Sequence, residues 1–349
     1  MTTNRVLRIV LVLLVVGGLA VWRIATTERL VAVDSGVHMV MGTFTRMTVV
    51  APDDASAEAG IKAALDAQRQ IDRLMSYQRA DSELSRINTQ ACDHPVVITP
   101  ETMAVLVEAQ RISQITDGAF DISVAPLMDL WAMAAEANTP PTQTQIAEAR
   151  AKVDYTQIIL DPNAMTVSLA RPGMKLDLGG IAKGYAIDLS IQALKARGAV
   201  GAMVDIGGDI YCFGRPPRDK SGWRIALQDP RTANDPTANQ YRLILDFTDR
   251  AVTTSGHYYR FELVGTERVS HIIDTHQGTG ANRLASVTIL APTAMTADAL
   301  ATAVSVMGHE KGLALIESLP DIEAIVIDAD SVTLDQTSGA RRYISANQD

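Results

Sequence analysis

Lys175-Leu176-Asp177-Leu178-Gly179-Gly180-Ile181-Ala182-Lys183-Gly184-Tyr185 reads as a short strand running through a glycine turn into a helix, from about Gly180 to Arg197, that Gly198 stops. Backbone N–H groups at such a helix start are unshielded, so a diphosphate can sit there. Asp177 offers an acceptor before the turn, and Lys183 a donor one helical turn on. The segment is neither G-x-G-x-x-G nor G-x-x-x-x-G-K-[ST], so neither the dinucleotide fold nor the P-loop follows from it. A glycine turn that only lets a helix pack closely on a strand remains the other reading.

Further on, Ser286 to Leu290 is a β-rich run, and Met295-Thr296-Ala297-Asp298-Ala299-Leu300-Ala301-Thr302 opens a helix with Thr296 as its N-cap. Asp298 and Thr302 stand four apart, which puts a carboxylate and a hydroxyl on one face. With nearby backbone carbonyls they form an all-oxygen set suited to a hard cation such as Mg²⁺. Thiolate and paired imidazole ligands are absent from this stretch, which argues against zinc. The alternative is that Asp298 caps the first turn and Thr302 bonds back to the helix.

Other segments join these two: Met41-Gly42-Thr43; Leu74-Met75-Ser76-Tyr77 followed by Asp81 to Asn88; Gly118-Ala119-Phe120-Asp121-Ile122-Ser123 onward to Trp131; and Thr254-Ser255-Gly256-His257-Tyr258 with His271-Ile272-Ile273-Asp274. In this order the set resembles the FAD:protein FMN transferases, the ApbE-like flavin transferases. The resemblance implies transfer of FMN from FAD to a threonine hydroxyl of an acceptor protein, with release of AMP. By positional match it implies FAD contacts at Met41, Tyr77, Ala119, Phe120, Asp121, Asp177, Lys183 and Ile273. Mg²⁺ would be held by Asp298 and Thr302 with backbone oxygens of Gly180 and Ala301. His271 matches the family's His-x-x-Asp motif and is the leading base, Asp274 orients it or lies near the metal, and His257 is the rival. Where the family continues Pro-Arg-x-x-Gly, this chain has Thr275-His276-Gln277-Gly278, without the rigid turn and the phosphate-suited arginine. Acceptors in the family carry a Ser/Thr-Gly-Ala-Thr-like segment on periplasm-facing redox subunits, so a partner of that kind is expected. A periplasmic flavin-binding protein, or an FAD pyrophosphatase using water as acceptor, are the alternatives.

A formal charge of −9 over 349 residues, with no cluster of Lys and Arg, disfavours nonspecific nucleic-acid binding. Arg5 and Arg8 precede an apolar run from Ile9 to Trp22, short of the ~20 residues that span a bilayer comfortably. Val6, Leu7 and Ile24 extend it, and the flanking arginines can snorkel. No convincing small-x-small cleavage site follows before Arg23, so residues 1–25 read as an uncleaved signal-anchor, with a cleaved signal peptide as the alternative. Positive charge before the run places the body on the periplasmic face of the inner membrane. The cysteines are Cys92 and Cys212 alone, so no lipidation follows the apolar run, and a disulfide between them is open.

Residues 26–36 read as a stalk and 37–346 as one catalytic domain. Ala55 to Leu74 is an amphipathic helix, with Ile61, Leu65, Ile71 and Leu74 near helical spacing. Another starts at Thr99-Pro100-Glu101 and runs to about Thr116. From Gly201 the pattern turns mainly to strands: Ala202 to Ile206, Ile210 to Phe213, Trp223 to Leu227, Tyr241 to Phe247 and Tyr259 to Val264. Asp205-Ile206-Gly207-Gly208 echoes Asp177-Leu178-Gly179-Gly180. A helix near Glu310 to Ser318 and a closing hairpin complete an α+β fold, with mixed and largely antiparallel sheets and packed helices.

Overall fold

The structure, a computed structural model, describes residues 30–217, 222–232, 240–256, 261–265, 267–330 and 332–345. The apolar run at residues 9–22 and His257 lie outside them. Among the described residues, no helix is long and apolar enough to cross a membrane.

One eight-stranded sheet organises the chain: β1 (Val31–Val40), β2 (Thr43–Ala51), β3 (Gly201–Ile206), β4 (Asp209–Gly214), β5 (Arg250–Gly256), β6 (Leu284–Ala291), β7 (Glu323–Asp328) and β8 (Leu334–Gln336). Their order in space is their order along the chain, and every neighbouring pair is antiparallel. Alternation along the strands sorts the side chains onto two faces. Tyr211, Phe213, Ala251, Ile289 and Val326 join the main core, whereas Cys212, Val252, Leu290 and Ile325 join a second apolar cluster. That second cluster is covered by the hairpin Trp223–Gln228 and Tyr241–Phe247.

The helices are α1 (Asp54–Met75), α2 (Glu83–Gln90), α3 (Pro100–Ile115), α4 (Ala125–Glu136), α5 (Gln143–Arg150), α6 (Ala182–Ala196), α7 (Ala294–Met307) and α8 (His309–Ser318). Buried Ala57, Ile61, Ala64, Leu65 and Ile71 give α1 its core face, and Pro100 opens α3 behind the Thr99 cap as expected. Helix α6 packs against both α1 and α7, and all three lie on the main sheet. Gly184 is the contact point between α6 and α7, because a Cβ there would overlap the Ala294 carbonyl. The Asp188 carboxylate on α6 accepts from Ala294 N at 2.8 Å and Met295 N at 3.0 Å, capping the start of α7. Burial pushes that carboxyl up to about 6, against these two hydrogen bonds.

Three expectations are corrected. The segment before the glycine turn makes only an isolated bridge between Lys175 and Val124, because Leu176 pairs with the Asn88 side chain instead of a strand. Helix α6 starts at Ala182. Helix α7 starts at Ala294, since Thr293 takes the cap by accepting from Thr296 N, while the Thr296 hydroxyl donates to Glu108 at 2.8 Å. Cys92 and Cys212 are both free: Cys92 is exposed and donates to the Arg171 carbonyl, and Cys212 is buried under the second cluster.

Candidate functional site

The turn at Gly179 and Gly180 delivers α6 without a side-chain cap, leaving the first N–H groups of the helix without intrahelical partners. Ahead of the helix, Asp177 Oδ1 accepts from Gly179 N at 2.7 Å and the Leu178 carbonyl from Ala182 N at 2.9 Å. Asp298 on α7 accepts through Oδ2 from Gly184 N at 3.1 Å. Lys183 reaches into the same corner, where its ammonium pairs with Asp209 and lies 3.2 Å from Asp298 Oδ1. Both carboxylates are buried. Burial pushes the Asp209 carboxyl up to about 7 although Lys183 opposes it; the Lys183 ammonium loses water as well, but its two carboxylates hold its pKa above the ordinary value.

Thr302 follows one turn after Asp298. A Cβ on Gly180 would stand 3.2 Å from Thr302 Oγ1 and 3.3 Å from the Phe120 ring, so the absent side chain leaves a small space between a hydroxyl and an aromatic edge. Ala301 is fully buried, and its carbonyl already accepts the Ser305 hydroxyl at 2.8 Å. Among the described residues no three His, Cys, Asp or Glu side chains gather as a metal site. A cation here would therefore rest on one carboxylate, a hydroxyl and a carbonyl, and this all-oxygen set fits Mg²⁺.

Beside this corner, Tyr77 donates to Asp129 Oδ1 at 2.7 Å and Lys175 to Asp129 Oδ2 at 2.8 Å. Burial, with Asp129, raises the Tyr77 pKa and keeps the phenol protonated. Burial likewise raises the carboxyl of Asp177. Phe120 abuts Gly180, but the neighbouring Asp121 is committed elsewhere. Its carboxylate accepts from Ser123 N, Ser123 Oγ and Tyr155 N at 2.7–2.9 Å, which fastens the loop after α3. Burial pushes that carboxyl up to about 6.

A cavity of about 220 Å³ lies next, with Ala119, Asp274, Arg283 and Val306 among its walls. Val306 stands one helical turn beyond Thr302, so α7 joins the cavity to the cation corner over ~6 Å. Asp274 is buried; its Oδ1 accepts from His276 N at 3.0 Å and Gln277 N at 3.1 Å, and its Oδ2 lies 4.0 Å from Arg283. Although Thr275-His276 replaces Pro-Arg, the turn is held: Thr275 donates to the Gly118 carbonyl at 2.8 Å, and Gly278, at φ +75°, returns its N–H to the Asp274 carbonyl at 2.7 Å. Ile273 packs its side chain into the cluster of Leu127 and Trp131. His271 is exposed at the bend before this turn. Met41 sits at the β1–β2 tip with φ +51°, beside Thr43, whose side chain abuts Gly207.

The corner thus unites Gly180, Lys183, Asp298 and Thr302, flanked by Phe120 and Asp177. Ala119 and Asp274 belong to the cavity. Asp209, Asp129 and Arg283 went unseen in the sequence; for Asp209 the echo ending in Gly207-Gly208 was the available signal. A helix start, an ammonium, and a carboxylate and a hydroxyl one helical turn apart beside a cavity make a site able to handle a phosphate ester.

The ApbE family model matches residues 41–326. Similar proteins include the FAD:protein FMN transferase of Vibrio cholerae, 36% identical over 271 residues, covering 75% of this chain and 79% of that one. The FAD:protein FMN transferase of Treponema pallidum is 33% identical over 310 residues, covering 85% and 84%. Among solved structures, the flavin transferase ApbE from Vibrio cholerae superposes with a TM-score of 0.75 at 31% identity, covering 90% of this chain and 99% of that one. The ApbE protein of Thermotoga maritima gives 0.79 at 28% identity, covering 91% and 100%. The chain belongs to the ApbE family, the FAD:protein FMN transferases.

Proposed function

We propose that this chain transfers FMN from FAD to a threonine hydroxyl of a separate acceptor protein in a Mg²⁺-dependent reaction that releases AMP. The observation that carries this reading is the corner where Lys183 and Asp298 meet beside Thr302 and Gly180. Asp298, Thr302 and the Gly180 carbonyl would hold Mg²⁺, which supplies charge neutralisation at the diphosphate. The acceptor threonine oxygen bonds to the FMN-side phosphorus as the bond to the AMP oxygen breaks. His271 takes the hydroxyl proton, with His257 as the other candidate. Lys183, at the start of α6, would face the diphosphate. Tyr77 offers a flat ring to the flavin nucleotide, while Phe120, buried in the main core, backs the Gly180 turn.

The acceptor is a redox subunit with a Ser/Thr-Gly-Ala-Thr-like segment, and the body works on the periplasmic face of the inner membrane, held by residues 1–25. Incubation with FAD, Mg²⁺ and such an acceptor, followed by mass spectrometry, tests the reading. The acceptor gains one FMN moiety and loses the adduct on Thr→Ala at its segment. Free FMN beside an unmodified acceptor contradicts it.

A further inference from the structure

Asp209 lies outside every motif discussed above, yet the fold is arranged to place it. Strands β3 and β4 are joined by Gly207 and Gly208 alone, with Ile206 opposite Asp209. Both glycines have positive φ, +64° and +94°, as a two-residue hairpin turn requires. Asp205 Oδ1 accepts from Gly208 N at 2.8 Å, and Gly207 N donates to the Phe44 carbonyl at 2.8 Å. A Cβ on Gly207 would come within 2.8 Å of Thr43 Oγ1, so the turn is wedged against the start of β2. The product of this bracing is a buried carboxylate whose partner is Lys183, on a different element.

Lys183 is offered two carboxylates and bridges them, pairing with Asp209 and, at 3.2 Å, with Asp298. A lysine with Asp298 as sole partner would close on it and put an ammonium where a cation should bind. We infer that Asp209 is a positioning residue that shares the Lys183 ammonium with Asp298, so that Asp298 is not its sole anion and can still take a divalent cation while the lysine faces the incoming phosphates. The inference rests on the reading of Asp298 and Thr302 as cation ligands, and concerns a residue that reading does not use.

The test is direct titration of the full chain with Mn²⁺, without turnover, by calorimetry or by the electron paramagnetic resonance of free Mn²⁺. Wild type, Asp209→Asn, Lys183→Gln and the double variant form a cycle, with folding checked by circular dichroism and Asp209→Ser as a second replacement. With Lys183 present, Asp209→Asn weakens Mn²⁺ binding by about tenfold. In the Lys183→Gln background the same change has less than about a twofold effect, because no ammonium is left to restrain. Equal weakening in both backgrounds overturns the inference, since Asp209 would then act on the cation itself. Unaltered Mn²⁺ affinity with a lowered melting temperature also overturns it, leaving Asp209 a structural role only. A wild-type chain that binds no Mn²⁺ defeats the cation reading as well as the inference; a wild type that binds with no coupling between the two positions defeats the inference alone.

Discussion

Four oxygens and one ammonium set the chemistry of the corner, and each tolerates little change. Removing the Asp298 carboxylate leaves the Gly184 N–H and the Lys183 ammonium each short of a partner. Asp298→Ala is therefore expected to abolish the response to added Mg²⁺ and cut transfer by ~10²–10³-fold, the scale seen on deleting one preorganised charge-stabilising group. Transfer assayed across a Mg²⁺ series checks this, and wild-type rates at low Mg²⁺ would contradict it. His271→Ala should slow transfer by ~10²–10⁴-fold while leaving FAD binding intact, the range for losing a general base; a rate within twofold of wild type moves the role to His257. Asp177, Lys183, Asp298 and Thr302 were legible because each lies in a local motif whose spacing already implies a shared turn or face. Asp209 and Asp129 were not, since their partners are 26 and 46 or more positions away and only the folded sheet brings them together. The loop-fastening part of Asp121, whose oxygens accept from Ser123 and Tyr155, was not legible either, because Tyr155 lies 34 positions away.

Between elements, the packing of α6 on α7 decides whether the corner forms. Gly184 allows the approach and Asp188 caps the incoming helix. Gly184→Ala is expected to cost about 1–3 kcal/mol through overpacking and to weaken Mn²⁺ binding with it, because Asp298 and Thr302 ride on the displaced helix. Urea denaturation and Mn²⁺ titration of one preparation check both effects, and an unchanged midpoint would contradict the packing account. At the far end, His309 ties the start of α8 to the β7–β8 hairpin: Nδ1 lies 3.0 Å from Asp328 and Nε2 3.0 Å from Asp335. Hydrogen bonding to Asp335, ahead of the opposing loss of water, raises its pKa. A raised histidine stabilises fully below its unfolded value near 6.5 and loses that contribution as pH rises through the folded value. His309→Gln should thus melt below wild type at about pH 6, with the gap narrowing as pH rises through the folded value; a gap constant with pH would contradict the pairing. Helices such as α1 were readable from periodicity, and α3 from its Thr-Pro start. The start of α7 was misplaced because two threonines three apart both qualify as caps, and the choice depends on Glu108 from another helix.

Across the whole molecule, the antiparallel sheet in chain order explains why a sequence of hairpin-linked strands already read as α+β. What could not be read was which strands share one sheet: β2 pairs with β3 across a separation of roughly 150 residues, and no local pattern encodes that return. The same scale holds the placement of the chain. A reporter fused after Gln348 is expected to be active only on the periplasmic side, and activity confined to the cytoplasm would contradict the anchor. The central claim is transfer to protein, and one measurement reaches it directly: the intact mass of a candidate acceptor after incubation with the chain, FAD and Mg²⁺. The account predicts an acceptor heavier by one FMN moiety, with AMP released in equal amount and no adduct on the threonine-free acceptor. FAD consumed to free FMN and AMP, with the acceptor mass unchanged, would contradict it.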